Sequence, residues 1–277
     1  MEEQLQQISD LAEENGICVP EDHVDEEGLL VCGQCGERKE VRQFLFGKEK
    51  IFRCMCQCER EAFDKKKEEM RQKELAIQTN QLKSVGLTES RFKEWTFKND
   101  KGYSESMNQI RNYVDNWKEM SKKNIGLLLF GPVGSGKSFA AGCIANALME
   151  QGVPVIMTNF SRVLNELTKY GVDKNVFIDE LVSYPLLIID DLGIERKSEF
   201  AMEQIYNIID RRYCTKKPVI VTTNLTYQEM SEAGIEYERL YSRLFEMCLL
   251  IKWDGDDLRK IEHEEKKNYM LNRRWVQ

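Results

Sequence analysis

Five short apolar runs, at residues 125–130, 153–157, 185–189, 218–223 and 249–253, are spaced along the second half of the chain, and segments of helical periodicity separate them. Each run is too short for a helix and lacks the polar alternation of a half-exposed strand, so it reads as a strand buried on both faces. Five such strands joined by helices predict an α/β fold with a parallel sheet between two layers of helices. Upstream the pattern weakens. Leu5, Ile8 and Leu11 mark a short amphipathic helix within an acidic segment spanning 1–30. Residues 60–82 are rich in Lys, Glu and Gln with few apolar positions, which predicts an exposed connecting helix supported by charge pairing along its surface. Phe92, Trp95 and Phe97, then apolar recurrence at helical spacing over 103–120, open the main domain. The chain therefore divides into an amino-terminal region, 1–85, and a domain spanning 86–277.

The chain has 277 residues, 42% hydrophobic and 31% charged, enough for one sizeable core and a smaller appended unit. The first thirty residues contain no Lys or Arg, so the basic flank and apolar centre of a secretory signal are missing. No apolar run approaches the roughly 18 residues that suggest a membrane span. The expectation is a soluble cytoplasmic protein without a membrane partner. A net charge of -7 argues against coating nucleic acid by bulk electrostatics, so any DNA contact must be local.

The first strand runs into Gly131-Pro132-Val133-Gly134-Ser135-Gly136-Lys137-Ser138, which matches the phosphate-binding pattern G-x-x-x-x-G-K-[ST] with a strand before it and a helix after it. The glycines let successive N–H groups turn inward on phosphate oxygens, and the following helix adds the positive end of its dipole. Lys137 would reach the β and γ phosphates and the Ser138 hydroxyl would ligate Mg²⁺. ATP and Mg²⁺ are the expected ligands. The acidic half of such a site belongs at the carboxyl end of a neighbouring strand, where "LLIIDDLG" supplies Asp190 for the magnesium and Asp191 for the attacking water. One strand later "VIVTTNL" ends in Asn224, a neutral amide able to hydrogen-bond water and γ phosphate together. Arg239 and Arg243, four apart on one helical face, are either a solvated stripe or a finger reaching the nucleotide of another subunit.

Nine cysteines in a chain without an export signal point to metal before disulfide. Five fall between residues 31 and 61, as Cys32-x2-Cys35 and Cys54-x-Cys56-x-Cys58. Two thiolates from a tight knuckle and two from a second element suit tetrahedral Zn²⁺, which can fold a segment too small for its own core. On a strand Cys54, Cys56 and Cys58 would all share one face, so five thiols compete for four places. Cys18 and His23 lie too far upstream for a role, and Cys143, Cys214 and Cys248 fit apolar packing.

The segments "GLLLFGPVGSGKSFAAGCIANAL", "VIMTNFSRVLNEL", "LLIIDDLGIER", "EQIYNIIDRRYCTKKPVIVTTNL" and "RLYSRLFEMC" resemble the DnaC/DnaI helicase-loader family and its IstB-like relatives, in their phage and Gram-positive form. The resemblance covers about residues 86–259 and extends to the cysteine module. It implies an AAA+ P-loop ATPase with a five-stranded parallel sheet, preceded by a small cysteine-rich zinc-binding module. It also implies that Asp190-Asp191 stands where other AAA+ proteins have Asp-Glu, that Asn224 is the sensor residue, and that Arg243 is the trans-acting finger with Arg239 second. "WDGDDLR" is similar to the family's closing segment, matching its basic residue to Arg259. Family members show Cys-x-Cys followed by Glu, which selects Cys56 and Cys58, before Glu59, to join Cys32 and Cys35.

The implied role is an ATP-controlled oligomeric loader that binds the replicative helicase through its amino-terminal region and helps place it on single-stranded DNA. Contact with DNA is then expected from 159–169, with Phe160 stacking and Arg162 or Lys169 on phosphates, against core packing or plain solvation as the alternative for each of them. Competing roles are an IstB-like transposition helper on duplex DNA, an adaptor that binds ATP without hydrolysing it, and a small-molecule kinase. The last is disfavoured because the chain offers no acceptor pocket or Arg-rich lid.

Overall fold

The computed structural model describes residues 21–102, 104–193, 199–254 and 257–272. The helix expected around Leu5, Ile8 and Leu11, and Cys18, lie outside them. The chain divides into two compact units between Glu74 and Leu75.

In the first unit, β1 (His23–Val24) pairs antiparallel with β2 (Leu30–Val31), and β3 (Glu40–Leu45) pairs with β4 (Lys48–Arg53) in a hairpin. The hairpin is joined by Phe46 and Gly47, both with positive φ, the geometry whose twist matches that of the strands. After it, α1 (Gln57–Gly86) runs 30 residues, longer at both ends than its charge pattern suggested. Its early start takes Cys58 out of the extended geometry expected for the three later cysteines. The unit division falls within this helix because its last turns belong to the second core: Leu82 packs there, Thr79 donates to the Met149 carbonyl at 3.4 Å, and Lys83 meets Glu150 at 2.8 Å.

The second unit continues through 3₁₀ turns at Ser90–Glu94 and Phe97–Asn99 into α2 (Ser106–Asp115) and α3 (Trp117–Lys122). There follow β5 (Gly126–Phe130), α4 (Lys137–Glu150), β6 (Val155–Asn159), α5 (Phe160–Leu167), α6 (Lys174–Ser183) and β7 (Leu186–Asp190). The chain closes with α7 (Glu199–Cys214), β8 (Val219–Thr223), α8 (Tyr227–Ser231), α9 (Ile235–Met247), β9 (Cys248–Lys252) and α10 (Leu258–Asn272). The five strands β5 to β9 fall within two residues of the apolar runs and are all parallel, in the order β6-β7-β8-β5-β9. Every residue of β5, β7 and β8 is buried, as a sheet covered on both faces requires. One face carries Leu128, Ile189, Val221, Ile205 and Leu244; the other carries Leu129, Ile188, Ile220, Ile144 and Phe92.

The strand order corrects one expectation. β7, which carries Asp190, is not next to β5; β8 lies between them. The strand leading to Asn224 thus separates the phosphate loop from the carboxylates and can touch both sides.

Buried Arg212 staples this unit from behind. Its guanidinium donates to the carbonyls of Val182 at 3.0 Å, Tyr184 at 2.6 Å and Pro185 at 3.2 Å, and also to that of Pro218. These carbonyls lead into β7 and β8, so the cation fixes where both strands begin.

Candidate nucleotide site and thiol cluster

The loop after β5 turns sharply at Gly131, where φ is +144° and a Cβ would stand 2.3 Å from the Trp253 carbonyl oxygen. Gly134 has φ +79°, and a Cβ there would meet Asp257 Oδ1 at 1.9 Å. At Gly131 the backbone of Trp253 excludes a side chain, and at Gly134 one would be strained and would displace the Asp257 carboxylate. The carboxyl-terminal segment presses on the outside of the loop: Trp253 Nε1 donates to the Ser135 carbonyl at 2.7 Å, and Leu258 N to the Gly134 carbonyl at 3.0 Å. Both bonds, and that of Trp253 N to the Phe130 carbonyl at 2.7 Å, brace the loop through its carbonyls and leave its N–H groups untouched. The apolar run alone reads Trp253 as the end of a strand and does not reveal this clamp; its only trace in the sequence is the "WDGDDLR" likeness.

Within the loop, Lys137 is buried at the first position of α4, and its Nζ donates to the carbonyls of Gly131 at 3.0 Å and Pro132 at 2.7 Å. Burial lowers its pKa, opposed by the charges of Asp191 and Asp190 and reinforced by that of Arg259. All three therefore lie within electrostatic reach of the ammonium. Ser135 donates its hydroxyl to Pro132, leaving Ser138 to face the acid.

Asp190 is 2% exposed and closes β7. Burial raises its pKa, opposed by hydrogen bonds from the hydroxyls of Thr222 and Ser138. Thr222 Oγ1 donates to Asp190 at 2.7 Å and accepts the Asp191 N–H at 2.8 Å. Asp191 has φ +55°, and its Oδ1 accepts from Asn224 Nδ2 at 3.0 Å. The structure thus gathers Lys137, Ser138, Asp190, Asp191 and Asn224 around one end of the sheet. Ser138 and Asp190 offer paired hard oxygen donors of the kind Mg²⁺ takes.

The arginines of α9 differ from one another. Arg243 Nη2 meets Asp210 at 2.6 Å, and the guanidinium lies 4.6 Å from the Tyr206 ring centre and 5.6 Å from that of Tyr213. Arg239 is exposed, and the two share with Tyr206, Glu238 and Ser242 the lining of a cavity of about 500 Å³. Among the described residues neither bonds to the phosphate loop or to Asp190 and Asp191.

Further expectations are corrected or qualified by burial and pairing. Phe160 is 8% exposed within the core, so it offers no stacking face. Lys169 is paired with Glu166 at 2.7 Å, and Arg162 donates to the Thr88 carbonyl at 3.0 Å. Cys143 and Cys248 are buried as expected, but Cys214, at the end of α7, is exposed.

In the first unit the Sγ atoms of Cys32, Cys35, Cys56 and Cys58 lie within 4.8 Å of one another, with Cys58 at 3.4 Å from Cys32 and 3.5 Å from Cys56. Tetrahedral Zn²⁺ with bonds of about 2.3 Å holds its sulfurs about 3.8 Å apart, so this donor set fits it. Backbone hydrogen bonds from Glu37 and Cys58 hold the Cys35 thiol down, to about 6, while burial pushes Cys56 up and the hydrogen bond with Cys35 pushes Cys58 up, so Cys35 is the thiol of the cluster that ionises first. Glu59 accepts the Cys56 N–H at 3.3 Å and pairs with Lys39 at 3.1 Å, bracing the knuckle. Cys54 turns away, its Sγ donating to the Arg38 carbonyl at 3.4 Å. His23, in β1, is not among the clustered ligands.

A parallel sheet in this order, with a phosphate loop after β5 and paired carboxylates at the end of β7, defines a nucleotide-binding protein of the AAA+ P-loop class. Residues 59–266 match the family described as IstB-like ATP binding protein, and the chain belongs to that family. It is 25% identical over 162 residues to the replicative helicase loader DnaC of Escherichia coli (strain K12), covering 56% of this chain and 64% of that one. The chain thus spans less than two thirds of that relative's length. A second relative is a putative insertion sequence ATP-binding protein of Sinorhizobium fredii (strain NBRC 101917 / NGR234), 29% identical over 136 residues, covering 45% of each chain. Among solved structures, the DnaC helicase loader superposes with a TM-score of 0.52 at 27% identity, covering 60% of this chain and all of that one. Among the described residues no helix is long and apolar enough to cross a membrane.

Proposed function

We propose that this protein is a cytoplasmic, ATP-dependent helicase loader of DNA replication, which binds the replicative helicase through residues 1–85 and helps place it on single-stranded DNA. The observation that carries the hydrolytic part is the linked set Ser138, Asp190, Thr222, Asp191 and Asn224 beside Lys137. A site built only to grip nucleotide has no need of an amide aimed at a second carboxylate. Similarity to the DnaC loader supports the replication role.

In this reading the N–H groups of residues 131–138 cradle the phosphates and Lys137 exchanges its loop carbonyls for the β and γ oxygens. Ser138 and Asp190 would hold Mg²⁺, which neutralises charge developing on the transferred phosphoryl group. Asp191 orients and deprotonates the attacking water, and Asn224 keeps that carboxylate turned toward it. Asp191 is one methylene shorter than the Glu of many relatives in the class, so turnover without a partner is slow. Arg243, supplied by a second copy, completes the site in an ATP-dependent homo-oligomer and must first leave Asp210. The thiol cluster would hold Zn²⁺, which fixes the fold of the amino-terminal module.

Light-scattering chromatography of the full chain with its host's replicative helicase, ATP and magnesium tests the reading. A co-eluting complex is expected. Clean separation overturns it in favour of a transposition helper, the alternative that the insertion-sequence relative supports; gel-shift assays with duplex DNA then follow.

A further inference from the structure

The β3–β4 hairpin carries a surface that neither the nucleotide site nor the thiol cluster uses. Directly paired residues of an antiparallel ladder project to the same side, so its register sorts the side chains onto two faces. Val41 pairs with Phe52, Gln43 with Lys50 and Leu45 with Lys48 on one face, while Glu40 pairs with Arg53, Arg42 with Ile51 and Phe44 with Glu49 on the other. The second face is balanced in charge: Arg42 reaches Glu49 at 3.5 Å, and Arg53 reaches Glu59 at 3.6 Å. The first has no acid. There Lys48 and Lys50 flank Val41, Leu45 and Phe52, whose exposures are 40%, 39% and 40%.

At the tip, Phe46 is 99% exposed and has φ +52°. Asn or Asp is the usual residue before the glycine of such a turn. A phenylalanine strains the backbone there and buries no apolar surface, so the hairpin's own folding gives no reason for it.

We propose that Phe46, with Val41, Leu45 and Phe52 between Lys48 and Lys50, is a docking surface for a partner protein that offers an apolar pocket rimmed by carboxylates. Charge complementarity selects the rim, because this face carries Lys48 and Lys50 and no acid in a chain of net charge -7. The composition of the face selects protein over nucleic acid. Val41 and Leu45 have no flat π surface on which a base could stack, whereas an aromatic anchor ringed by aliphatic side chains is what a dry protein pocket takes. The inference rests on the reading that the amino-terminal region docks the replicative helicase, and it names the surface that does so.

The test uses full-length protein carrying Phe46→Asn, or Lys48→Glu with Lys50→Glu. Asn tolerates the left-handed backbone, so the first variant keeps the turn. Calorimetric titration into the host's replicative helicase is expected to show binding weakened by about tenfold or more in each variant. Zinc content and ATP affinity, expected unchanged, report that both units are folded. Wild-type affinity in both variants overturns the docking surface and leaves the loader reading standing. A wild-type chain that does not bind the helicase overturns the loader reading and this inference with it. Weakened binding to a fluorescent oligothymidylate, with helicase affinity intact, assigns the hairpin to DNA and also overturns it.

Discussion

Thr222 and Asp190 are joined by a 2.7 Å hydrogen bond, and the same hydroxyl oxygen receives the Asp191 N–H at 2.8 Å. One side chain of β8 therefore sets the position of both carboxylates. Thr222→Val keeps the shape and removes both bonds. The expected cost is about 1–3 kcal/mol of stability, read by urea denaturation, because a buried carboxylate and an N–H lose their partner. Hydrolysis should fall further than ATP affinity, since Asp191 acts on the water and not on the phosphates.

Ionised Asp190 destabilises the nucleotide-free fold at neutral pH, because burial raises its pKa from the ordinary 3.8. For a carboxyl with a raised value this cost is relieved as pH falls through the raised pKa toward the ordinary one. Asp190→Asn removes it, so the variant should be more stable than wild type near pH 7 and lose that advantage in mild acid. Thermal melts across pH check the sign. The same variant should lose the magnesium-dependent part of ATP binding.

Lys137→Ala should abolish ATP binding, measured by titration with a fluorescent analogue. Retained tight binding would show that the loop does not hold phosphate through this ammonium. Burial lowers the Lys137 pKa, so nucleotide, by supplying negative charge, should raise the melting temperature of wild type and leave that of the variant unmoved.

Cys54 is separated from the four clustered thiols by its bond to Arg38. Cys54→Ser should keep one zinc per chain, and Cys35→Ser should lose it, as read by atomic absorption. Chelation should unfold the first unit while ATP binding by the second persists, a split that circular dichroism and nucleotide titration resolve together.

Arg243 is engaged with Asp210, whereas Arg239 is free of ion pairs among the described residues. Arg243→Ala should leave ATP affinity near wild type and remove the dependence of turnover on protein concentration, with a loss on the order of 10³ in rate. Unchanged turnover moves the finger to Arg239, and Arg239→Ala in the same assay decides.

The strands and the phosphate loop were legible because each depends on a local pattern: a run buried on both faces, or glycines at fixed spacing before Lys137. The order of the strands was not, since β5, β7 and β8 are apolar throughout and nothing in an apolar run names its neighbour. For that reason Asp190 was expected beside β5, where Thr222 now stands between. Three cysteines spaced by two read as one face of a strand, but α1 begins at Gln57 and rotates Cys58 toward Cys32 while Cys54 is left behind. The Trp253 clamp joins residues 118 apart, a distance across which no spacing rule operates.

That clamp turns the phosphate loop into a fulcrum. Trp253 and Leu258 each hold one of its carbonyls, and α10, 15 residues and so about 22 Å long, begins at the second of them. The root of α10 and the loop's backbone are therefore one joint, and neither can be repositioned without breaking or carrying along the other.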